Sequence, residues 1–424
     1  MSPFKYKDGV LHAEAVDLRA IAREVGTPFY CYARAALTER YQAFNEAFAG
    51  VPHLLCFSMK SNSNQAVLTT LARLGAGMDV VSGGEIMRAR AAGVPGERIV
   101  FSGVGKTRAE MALALREDIL CFNVESEPEL EALSEVASAM GVVARISVRV
   151  NPDVDALTHA KISTGTYANK FGIPISDALR VYARAAALPG LCVTGVDMHI
   201  GSQIVDLAPF ASACARLADL ARQLMAAGHA LAHVDVGGGL GVRYRTDDAD
   251  PPSPQAYAET ILQHLGGLGL KLIFEHGRLI AANAGILVSE VLYIKQGATK
   301  TFVIVDAAMN DLIRPTLYEA WHEIVPLVAP APDALHKHVD VVGPVCESGD
   351  YLAQNRALPP LQAGDLIGVL SAGAYGAVHA GTYNTRPLVP EVMVDGARWA
   401  LIRARPQVAA MIAADTVPPW LAQD

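Results

Sequence analysis

The segment HLLCFSMKSNSNQAVLTTLARLGAGMDVVS, residues 53–82, contains one complete strand–helix–strand unit. An apolar run at 53–60 precedes a segment of helical period at 65–75, and a second apolar run follows at 77–82. This order is typical of parallel strands that are joined by covering helices. The first run ends on Lys60, where the chain turns polar. The segment therefore predicts an α/β fold with an amine at the carboxyl end of a strand.

The same unit recurs as far as residue 280, with further helical segments predicted at 83–93, 127–140, 207–228 and 257–269. The eight predicted strands span residues 53–60, 77–82, 98–103, 119–124, 143–150, 192–199, 233–237 and 271–275. Eight β/α units in roughly 240 residues match a closed (β/α)8 TIM-like barrel better than an open sheet.

The chain has 424 residues, more than a single core usually fills, so two domains are expected. After about residue 285, segments such as KTFVIVDA and DLIGVLSA follow one another without helices and predict a C-terminal all-β domain. We expect the barrel to span residues 30–280 and the β domain to span 281–424 together with 1–29. FYCYAR at 29–34 is expected to open the barrel.

The composition excludes several classes of protein. Hydrophobic residues make up 51% of the chain and charged residues 18%, which excludes a disordered protein. The net charge of −8, without a cluster of Lys and Arg, argues against a nucleic-acid partner. No signal peptide and no apolar run of about 18 residues is visible, so no membrane partner is expected. The six cysteines are scattered without a C-x-x-C pair, which favours reduced thiols and a cytoplasmic location.

Two glycine-rich segments resemble nucleotide-binding motifs without satisfying them. FSGVGKT at 101–107 has valine at position 100, where a P-loop needs glycine. VGGGLGV at 236–242 has Val242 where the third glycine of a dinucleotide fingerprint would fall. No H-E-x-x-H motif or paired Cys/His spacing occurs, so no metal is predicted.

An eight-stranded barrel builds its active site at the carboxyl ends of its strands. The residues at those ends are Lys60, Asp79, Lys106, Asn123, Arg149, His199, the glycines 237–239 and the run Glu275-His276-Gly277-Arg278. A lysine, a histidine, an acid and a glycine-rich turn together suit a phosphorylated aldehyde that is held by an amine.

Each residue type has a chemical reason and a structural alternative. Desolvation lowers the pKa of a lysine toward the neutral amine that attacks a carbonyl, although Lys60 taken alone could be a solvated loop lysine. The glycines 237–239 let backbone N–H groups approach a phosphate, or they form a tight turn. Glu275 could protonate a pyridine nitrogen. His199 could stack on a cofactor ring or be a satisfied core histidine.

Thirteen segments, taken together, resemble the diaminopimelate decarboxylases, which are alanine-racemase-like (fold-type III) decarboxylases that use pyridoxal 5'-phosphate (PLP). In chain order the segments are FSMKSNSN, DVVSGGEI, FSGVGKT, NVES, RVNPDVDALTHAKISTG, KFGI, HIGSQ, DVGGGLG, EHGR, DAAMNDLIRPTLY, GPVCESGD, GAYG and YNTRP. The resemblance extends from about residue 29 to residue 386. It implies a PLP-binding barrel followed by a β domain.

The resemblance also implies roles for individual residues. Lys60 is similar to the lysine that binds the cofactor covalently, His199 to the imidazole stacked on its ring, and Glu275 to the acid on the pyridine nitrogen. Cys346 is similar to a proton donor that reaches the active site of the partner subunit, which implies a homodimer with shared sites. The remaining cofactor-binding residues, most of them for the phosphate, are Asp79, Ser202, Gly238, Gly239, Gly277, Arg278 and Tyr375.

The implied reaction is the decarboxylation of meso-2,6-diaminopimelate to L-lysine and CO2, the last step of lysine biosynthesis. The substrate has a second carboxylate far from the reacting carbon, for which Arg278, Arg314 and Tyr318 are the predicted ligands. Glu347 is predicted to pair with the distal amine, and Tyr375 completes the substrate-binding set.

Two alternatives stay open at this point. The chain could be a related decarboxylase that acts on another basic amino acid or on a carboxynorspermidine-like substrate, or an inactive regulatory homologue. EHGR also replaces the usual E-P-G-R of the family, so His276 is expected to add a titratable group beside the phosphate site.

Overall fold

The structure is a computed structural model that describes residues 3–155 and 170–421. The chain divides into two compact units. The barrel unit comprises Leu37–Arg243 and Asp247–Ala281, and the β unit comprises Met1–Ala36, Tyr244–Thr246 and Ala282–Asp424. Part of the motif RVNPDVDALTHAKISTG, residues 156–165, lies outside the described residues.

The chain begins with short elements that precede the barrel. They are the strands β1 (Phe4–Lys7), β2 (Val10–Ala13) and β3 (Val16–Asp17), helix α1 (Leu18–Val25), strand β4 (Phe29–Ala33) and helix α2 (Arg34–Ala47). The first three strands form an antiparallel sheet. Leu11 N–H donates to the carbonyl of Leu327, so this segment hydrogen-bonds within the β unit.

Parallel strands then alternate with helices. The strands are β5 (His53–Ser58), β6 (Gly77–Val80), β7 (Ile99–Phe101), β8 (Cys121–Val124), β9 (Ala144–Asn151), the short β10 (Ile173–Pro174), β11 (Leu191–Met198), β12 (His233–Asp235) and β13 (Lys271–Phe274). The helices are α3 (Gln65–Arg73), α4 (Gly83–Ala91), α5 (Arg108–Arg116), α6 (Glu127–Met140), α7 (Ala178–Ala187), α8 (Ala208–Ala226), α9 (Pro254–Leu265) and α10 (Arg278–Ala281).

The barrel closes because β5 pairs with β6 on one side and with β13 on the other, while β8 pairs with β9. Within the described ranges, eight parallel strands form the closed ring, and β10 pairs outside it with β9. All eight predicted strands coincide with these strands to within a few residues. The predicted closed (β/α)8 barrel is confirmed.

Local sequence explains how the helices near the site begin. The side chain of Asn64 accepts from the N–H of Ala66 and caps α3, directly after the turn that carries Lys60. In FSGVGKT, Thr107 and Glu110 form a capping box at the start of α5. The segment that resembles a P-loop therefore ends in a helix cap.

The β unit is built around a mixed sheet. Its further strands are β14 (Gly285–Gln296), β15 (Thr301–Val305), β16 (Ile324–Pro326), β17 (Lys337–Val342), β18 (Tyr351–Leu358), β19 (Leu366–Val369), β20 (Glu391–Asp395) and β21 (Arg398–Arg403), and its further helices are α11 (Arg314–Tyr318) and α12 (Val408–Ile412). The long strand β14 pairs with β15, β19 and β4.

The expectation that FYCYAR opens the barrel is wrong. β4 pairs antiparallel with β14 and parallel with β20, so it lies in the sheet of the β unit. All five of its residues are buried, as in a central strand of either sheet. An apolar strand of this kind does not reveal from its own residues which sheet it joins.

Among residues 3–155 and 170–421, no helix combines the length and the apolar character that crossing a membrane requires.

Candidate active site

Lys60 lies at the carboxyl end of the first barrel strand, on a 3-10 turn formed by Met59–Ser61. Its Nζ donates to Oδ2 of Asp79 at 3.2 Å, and the hydroxyl of Ser58 donates to the same oxygen at 2.6 Å. The Asp79 side chain is fully buried, whereas the Lys60 side chain is 40% exposed. The amine is therefore tethered to a buried carboxylate and remains accessible.

Glu275 lies directly after strand β13 and is buried in a polar network. Its Oε1 accepts from the hydroxyl of Ser102 and from Nδ2 of Asn123, both at 3.1 Å. Carboxylate oxygens of Asp197, Asp235 and Glu275 all lie within 4.8 Å of one another. Burial, and then the negative charge of Asp235, raises the pKa of Glu275 well above its usual value. Burial also raises the pKa of Asp235 to about 7.

The glycine turn and His199 are joined by a hydrogen bond. The N–H of Gly238 donates to Nδ1 of His199 at 3.2 Å, so the proton of the neutral ring lies on Nε2. Burial, and then the positive charge of Arg149, lowers the pKa of His199 well below its usual value. Gly237 and Gly239 have φ of +70° and +111°, which favours glycine at both positions. A Cβ at Gly238 would overlap the carbonyl of Glu275.

Arg278 and Ser202 form a second group of polar atoms in the barrel unit. Nε and Nη2 of Arg278 lie 3.2 and 3.0 Å from the hydroxyl oxygen of Ser202 and donate to it. Arg278 is buried. A Cβ at the preceding Gly277 would overlap the side chain of Ser61, so glycine is required at this close approach.

His276 belongs to the aromatic core of the barrel unit. Its ring meets Phe44 edge-on at 4.6 Å between centroids and Tyr257 at 5.4 Å. Burial lowers the pKa of His276 to about 3, so the ring is neutral near pH 7. The expectation that His276 adds a titratable group beside the phosphate site is wrong, because the backbone at this position turns the ring into the core.

Two further residues at strand ends are already paired. Nζ of Lys106 is buried and donates to Glu129 and to the carbonyls of Gly103 and Asn123, all at 2.7 to 2.8 Å. Nη1 of Arg149 donates to Glu125 at 3.0 Å. These contacts are structural, and they explain why the two cations can be buried.

The other predicted residues, Arg314, Tyr318, Cys346, Glu347 and Tyr375, all lie in the β unit. The loop of residues 343–350, here called the thiol loop, carries Cys346 and Glu347, both exposed. The carboxylate of Asp350 accepts from the N–H groups of Val345 and Met309, each at 2.6 Å. The N–H of Cys346 donates to Oδ1 of Asn384 at 3.0 Å. These bonds fix the backbone of the loop on both sides of the Cys346 side chain.

Three of the quoted segments of the β unit are in direct contact. The hydroxyl of Thr316 in α11 donates to the carbonyl of Gly349 in the thiol loop at 2.6 Å. Nδ2 of Asn310 donates to the carbonyl of Tyr383 in YNTRP at 2.7 Å. DAAMNDLIRPTLY, GPVCESGD and YNTRP therefore form one assembly.

Tyr375 has a φ of +57°, a strained conformation for a tyrosine.

Comparisons with known proteins agree with this arrangement. Residues 34–282 match the family profile described as pyridoxal-dependent decarboxylase, pyridoxal binding domain. The chain is 50% identical to a diaminopimelate decarboxylase of Zymomonas mobilis, over 99% of this chain and 100% of that protein. It is 52% identical to one of Vibrio cholerae, with the same coverage. The chain belongs to the diaminopimelate decarboxylase family.

Solved structures of the family are also similar to this chain. The diaminopimelate decarboxylase of M. jannaschii in complex with L-lysine has a TM-score of 0.93 at 34% identity and is covered to 99%, as is this chain. The Helicobacter pylori enzyme with L-lysine has a TM-score of 0.90 at 42% identity, covering 94% of this chain and 99% of that one. The family resemblance inferred from the sequence is confirmed.

The cofactor of the family is PLP, and the barrel residues fit it. Arg278 and Ser202 place a guanidinium and a hydroxyl side by side, as a phosphate requires. The glycines 237–239 have no side chains, so no Cβ covers the backbone N–H groups of the turn. The crowded acids around Glu275 favour a positive charge nearby, such as a protonated pyridine nitrogen.

Several residues of the site were not predicted from the sequence. In the barrel they are Ser102, Asp197 and Asp235, and in the β unit Asp350 and Asn384. The segments GVDM (195–198) and HVDV (233–236) each contain a single acid among mostly apolar residues, and this signal could have identified Asp197 and Asp235. Asp350 and Asn384 accept from backbone N–H groups of other segments, those of Met309 and Cys346, and such contacts have no local sequence pattern.

Proposed function

We propose that this chain decarboxylates meso-2,6-diaminopimelate to L-lysine and CO2 with PLP as cofactor. The observation that carries the proposal is the placement of Lys60. Its amine is tethered to a buried carboxylate at the carboxyl end of a barrel strand, in a chain that belongs to the diaminopimelate decarboxylase family over its full length.

PLP, when bound, accepts the electron pair that the departing carboxylate leaves behind. Lys60 holds the cofactor through its amine, and Asp79 orients that amine through the bond at 3.2 Å. Because Asp79 is buried, its carboxylate cannot turn toward water, so the direction of the Lys60 side chain is restricted. This contact would restrict the orientation of a cofactor attached to the amine.

Glu275 acts on the pyridine nitrogen. Ser102 and Asn123 donate to the same oxygen of Glu275 and so fix the orientation of its carboxyl group. The neighbouring Asp235 adds negative charge, which favours a proton on the ring nitrogen. His199, a neutral imidazole oriented by the N–H of Gly238, would contact the cofactor ring. Arg278, Ser202 and the glycine turn hold the phosphate, with Tyr375 as a further ligand.

Substrate recognition needs groups for the distal end of the molecule. The meso compound has one D and one L centre, and L-lysine retains the L centre, so the carboxylate is lost from the D centre. The distal carboxylate therefore stays on the product. Arg314 and Tyr318, together with Arg278, bind this carboxylate, and Glu347 pairs with the distal amine.

Cys346 delivers a proton to the carbon that has lost CO2. The thiol loop exposes the Cys346 side chain while its backbone is fixed by Asn384. We place this group in the site of a partner subunit, so that a homodimer has two shared sites. All six cysteines lie in the described ranges and are free thiols, which supports the proposed cytoplasmic location.

The purified protein should be offered a panel of amino acids, with and without added PLP, while CO2 and the amine product are measured. We expect CO2 from meso-2,6-diaminopimelate in the presence of PLP, with one L-lysine per CO2. Release of CO2 from ornithine, arginine or a carboxynorspermidine-like compound in its place would assign another substrate. No release from any compound by the PLP-loaded protein would indicate an inactive homologue.

A further inference from the structure

A buried histidine bonds to Arg314 inside the β unit. Arg314 is 6% exposed, and its Nη1 lies 2.7 Å from Nε2 of His322, which is fully buried. Because a guanidinium only donates hydrogen bonds, Nε2 is the acceptor. Nδ1 of His322 lies 2.8 Å from the carbonyl oxygen of Leu370, which only accepts, so Nδ1 carries the proton. The two contacts together require a neutral imidazole of one defined tautomer.

The backbone of the sheet fixes the position of this imidazole. His322 lies two residues before β16, which pairs antiparallel with β19. The N–H of Leu370 donates to the carbonyl of Glu323 at 2.8 Å, which places the Leu370 carbonyl beside the ring. The carbonyl of His322 accepts from Nη1 of the buried Arg356 at 2.6 Å. The ring is therefore supported by strand pairing and by a buried cation.

Tyr244 packs against both members of the pair. Cζ of Arg314 lies 4.7 Å from the centroid of the Tyr244 ring, and the ring of His322 meets Tyr244 edge-on at 5.4 Å. The guanidinium is thus held on one face by an aromatic ring and at one nitrogen by the imidazole. A carboxylate at the place of the imidazole would neutralise Arg314. A neutral imidazole orients the guanidinium without neutralising its charge, and a guanidinium suits an anionic ligand.

We infer that His322 is a positioning residue that fixes Arg314 for the distal carboxylate of the substrate. His322 thereby sets the preference for ligands with that carboxylate over amines that lack it. The inference rests on the proposed function, in which Arg314 binds the distal carboxylate.

Two substitutions separate the two bonds of the imidazole. The side-chain oxygen of His322→Gln can reach the place of Nε2 and accept from Arg314. His322→Asn is shorter and can bond only near the place of Nδ1, toward Leu370. The exposed His338 in the same unit supplies the control His338→Asn.

The test measures dissociation constants of the PLP-loaded enzyme for L-lysine, which has the distal carboxylate, and for 1,5-diaminopentane, which lacks it. We expect His322→Asn to raise the dissociation constant for L-lysine on the order of 10-fold. The dissociation constant for 1,5-diaminopentane should not change. His322→Gln and His338→Asn should bind both ligands as the wild type does. Equal weakening of both ligands in His322→Asn, or equal losses in the asparagine and glutamine variants, would overturn the inference.

Arg314→Ala distinguishes this inference from the proposed function. If Arg314→Ala does not change the preference for L-lysine, the proposed role of Arg314 fails. If Arg314→Ala reduces the preference but His322→Asn does not, the proposed function stands and the role of His322 fails. We expect Arg314→Ala and His322→Asn each to reduce the preference for L-lysine over 1,5-diaminopentane. The double variant should show no further reduction of this preference.

A measurement on the wild type decides the question even if His322→Asn does not fold. Nuclear magnetic resonance of enzyme with 15N-labelled histidine rings, with the His322 signal identified by its loss in His322→Gln, reports the proton on each nitrogen. The inference requires Nδ1 to be protonated and Nε2 to be unprotonated. An imidazolium, or a proton on Nε2, would contradict it.

Discussion

The amine of Lys60 is oriented by a buried carboxylate, although the lysine side chain itself is 40% exposed. Asp79 is enclosed, and its Oδ2 accepts from both Lys60 and Ser58. By contrast, Lys106 is enclosed and bonds to three oxygens. The sequence places both lysines at strand ends. Only the tertiary contacts distinguish Lys60, whose side chain is accessible, from Lys106, whose amine is buried and bonded to three oxygens.

Gly238 should tolerate no side chain. In Gly238→Ala the new Cβ overlaps the carbonyl of Glu275, so we expect a destabilisation of about 1–3 kcal/mol and weaker binding of PLP. Gly267→Ala is the control, since a Cβ there meets no atom within 4 Å. Chemical unfolding and titration with PLP measure both effects. A Gly238→Ala variant as stable as Gly267→Ala and with unchanged affinity for PLP would contradict the geometry of the turn.

His276 should make the stability depend on pH. Its pKa in the folded chain is about 3, below the usual value near 6.5, because burial disfavours the charged ring. The contribution of the buried, neutral ring to the free energy of unfolding is therefore fully present above pH 6.5. It is lost as the pH falls toward 3, since over this range only the unfolded chain gains the proton. His276→Phe should gain stability relative to the wild type by about 1.4 kcal/mol per pH unit below 6.5.

Chemical unfolding of the PLP-loaded protein between pH 7 and 5 measures this difference. The exposed His338→Phe variant should follow the wild type throughout. Parallel pH profiles for His276→Phe and the wild type would show that the ring is not buried as a neutral group.

The thiol loop is the element on which proton delivery depends. Asn384, which bonds to the N–H of Cys346, has a φ of +57°, so glycine is the substitution that retains its backbone conformation. Asn384→Gly should lower kcat by about 10- to 100-fold, because the thiol is no longer held in place. It should also yield less than one L-lysine per CO2, since the proton arrives less reliably at the reacting carbon.

Asn384→Asp is the matched variant, since it retains the oxygen that accepts from Cys346. Steady-state kinetics with both products quantified should show Asn384→Asp close to the wild type. If the glycine and aspartate variants behave alike, the bond to Cys346 does not position the thiol.

The sequence predicted elements better than their pairing. Apolar runs bounded by polar turns located every barrel strand, because parallel strands are buried on both faces. β4 has the same apolar character but joins β14 and β20, and its own residues contain nothing that selects these partners. Likewise, the sequence indicates Arg314 by its motif but not His322, whose role depends on strand pairing that brings Leu370 beside it. Local pattern specifies an element, and tertiary contacts decide its neighbours.

At the scale of the whole molecule, the proposed homodimer makes the two sites interdependent. If Lys60 of one protomer works with Cys346 of its partner, inactive Lys60→Ala and Cys346→Ala protomers should complement each other. Random mixing puts half of the protomers into mixed dimers with one intact site each, so about a quarter of the wild-type activity should return. Activity assays after refolding the mixture measure this. In the control, Lys60→Ala is mixed with the double variant and should remain inactive.

The complementation experiment separates two arrangements of the site. Subunit exchange is verified by native mass spectrometry of differently tagged protomers. Mixed dimers without recovered activity would mean that each site is complete within one protomer.

In the proposed function, the amine of Lys60 holds PLP covalently. The PLP-loaded wild type should be reduced with borohydride, digested and analysed by mass spectrometry to locate the pyridoxyl group. We predict the label on the peptide that contains Lys60, and no label at that position in Lys60→Ala. A label on another lysine, such as Lys106, or a protein that retains its visible absorbance and turnover after Lys60→Ala, would contradict the account.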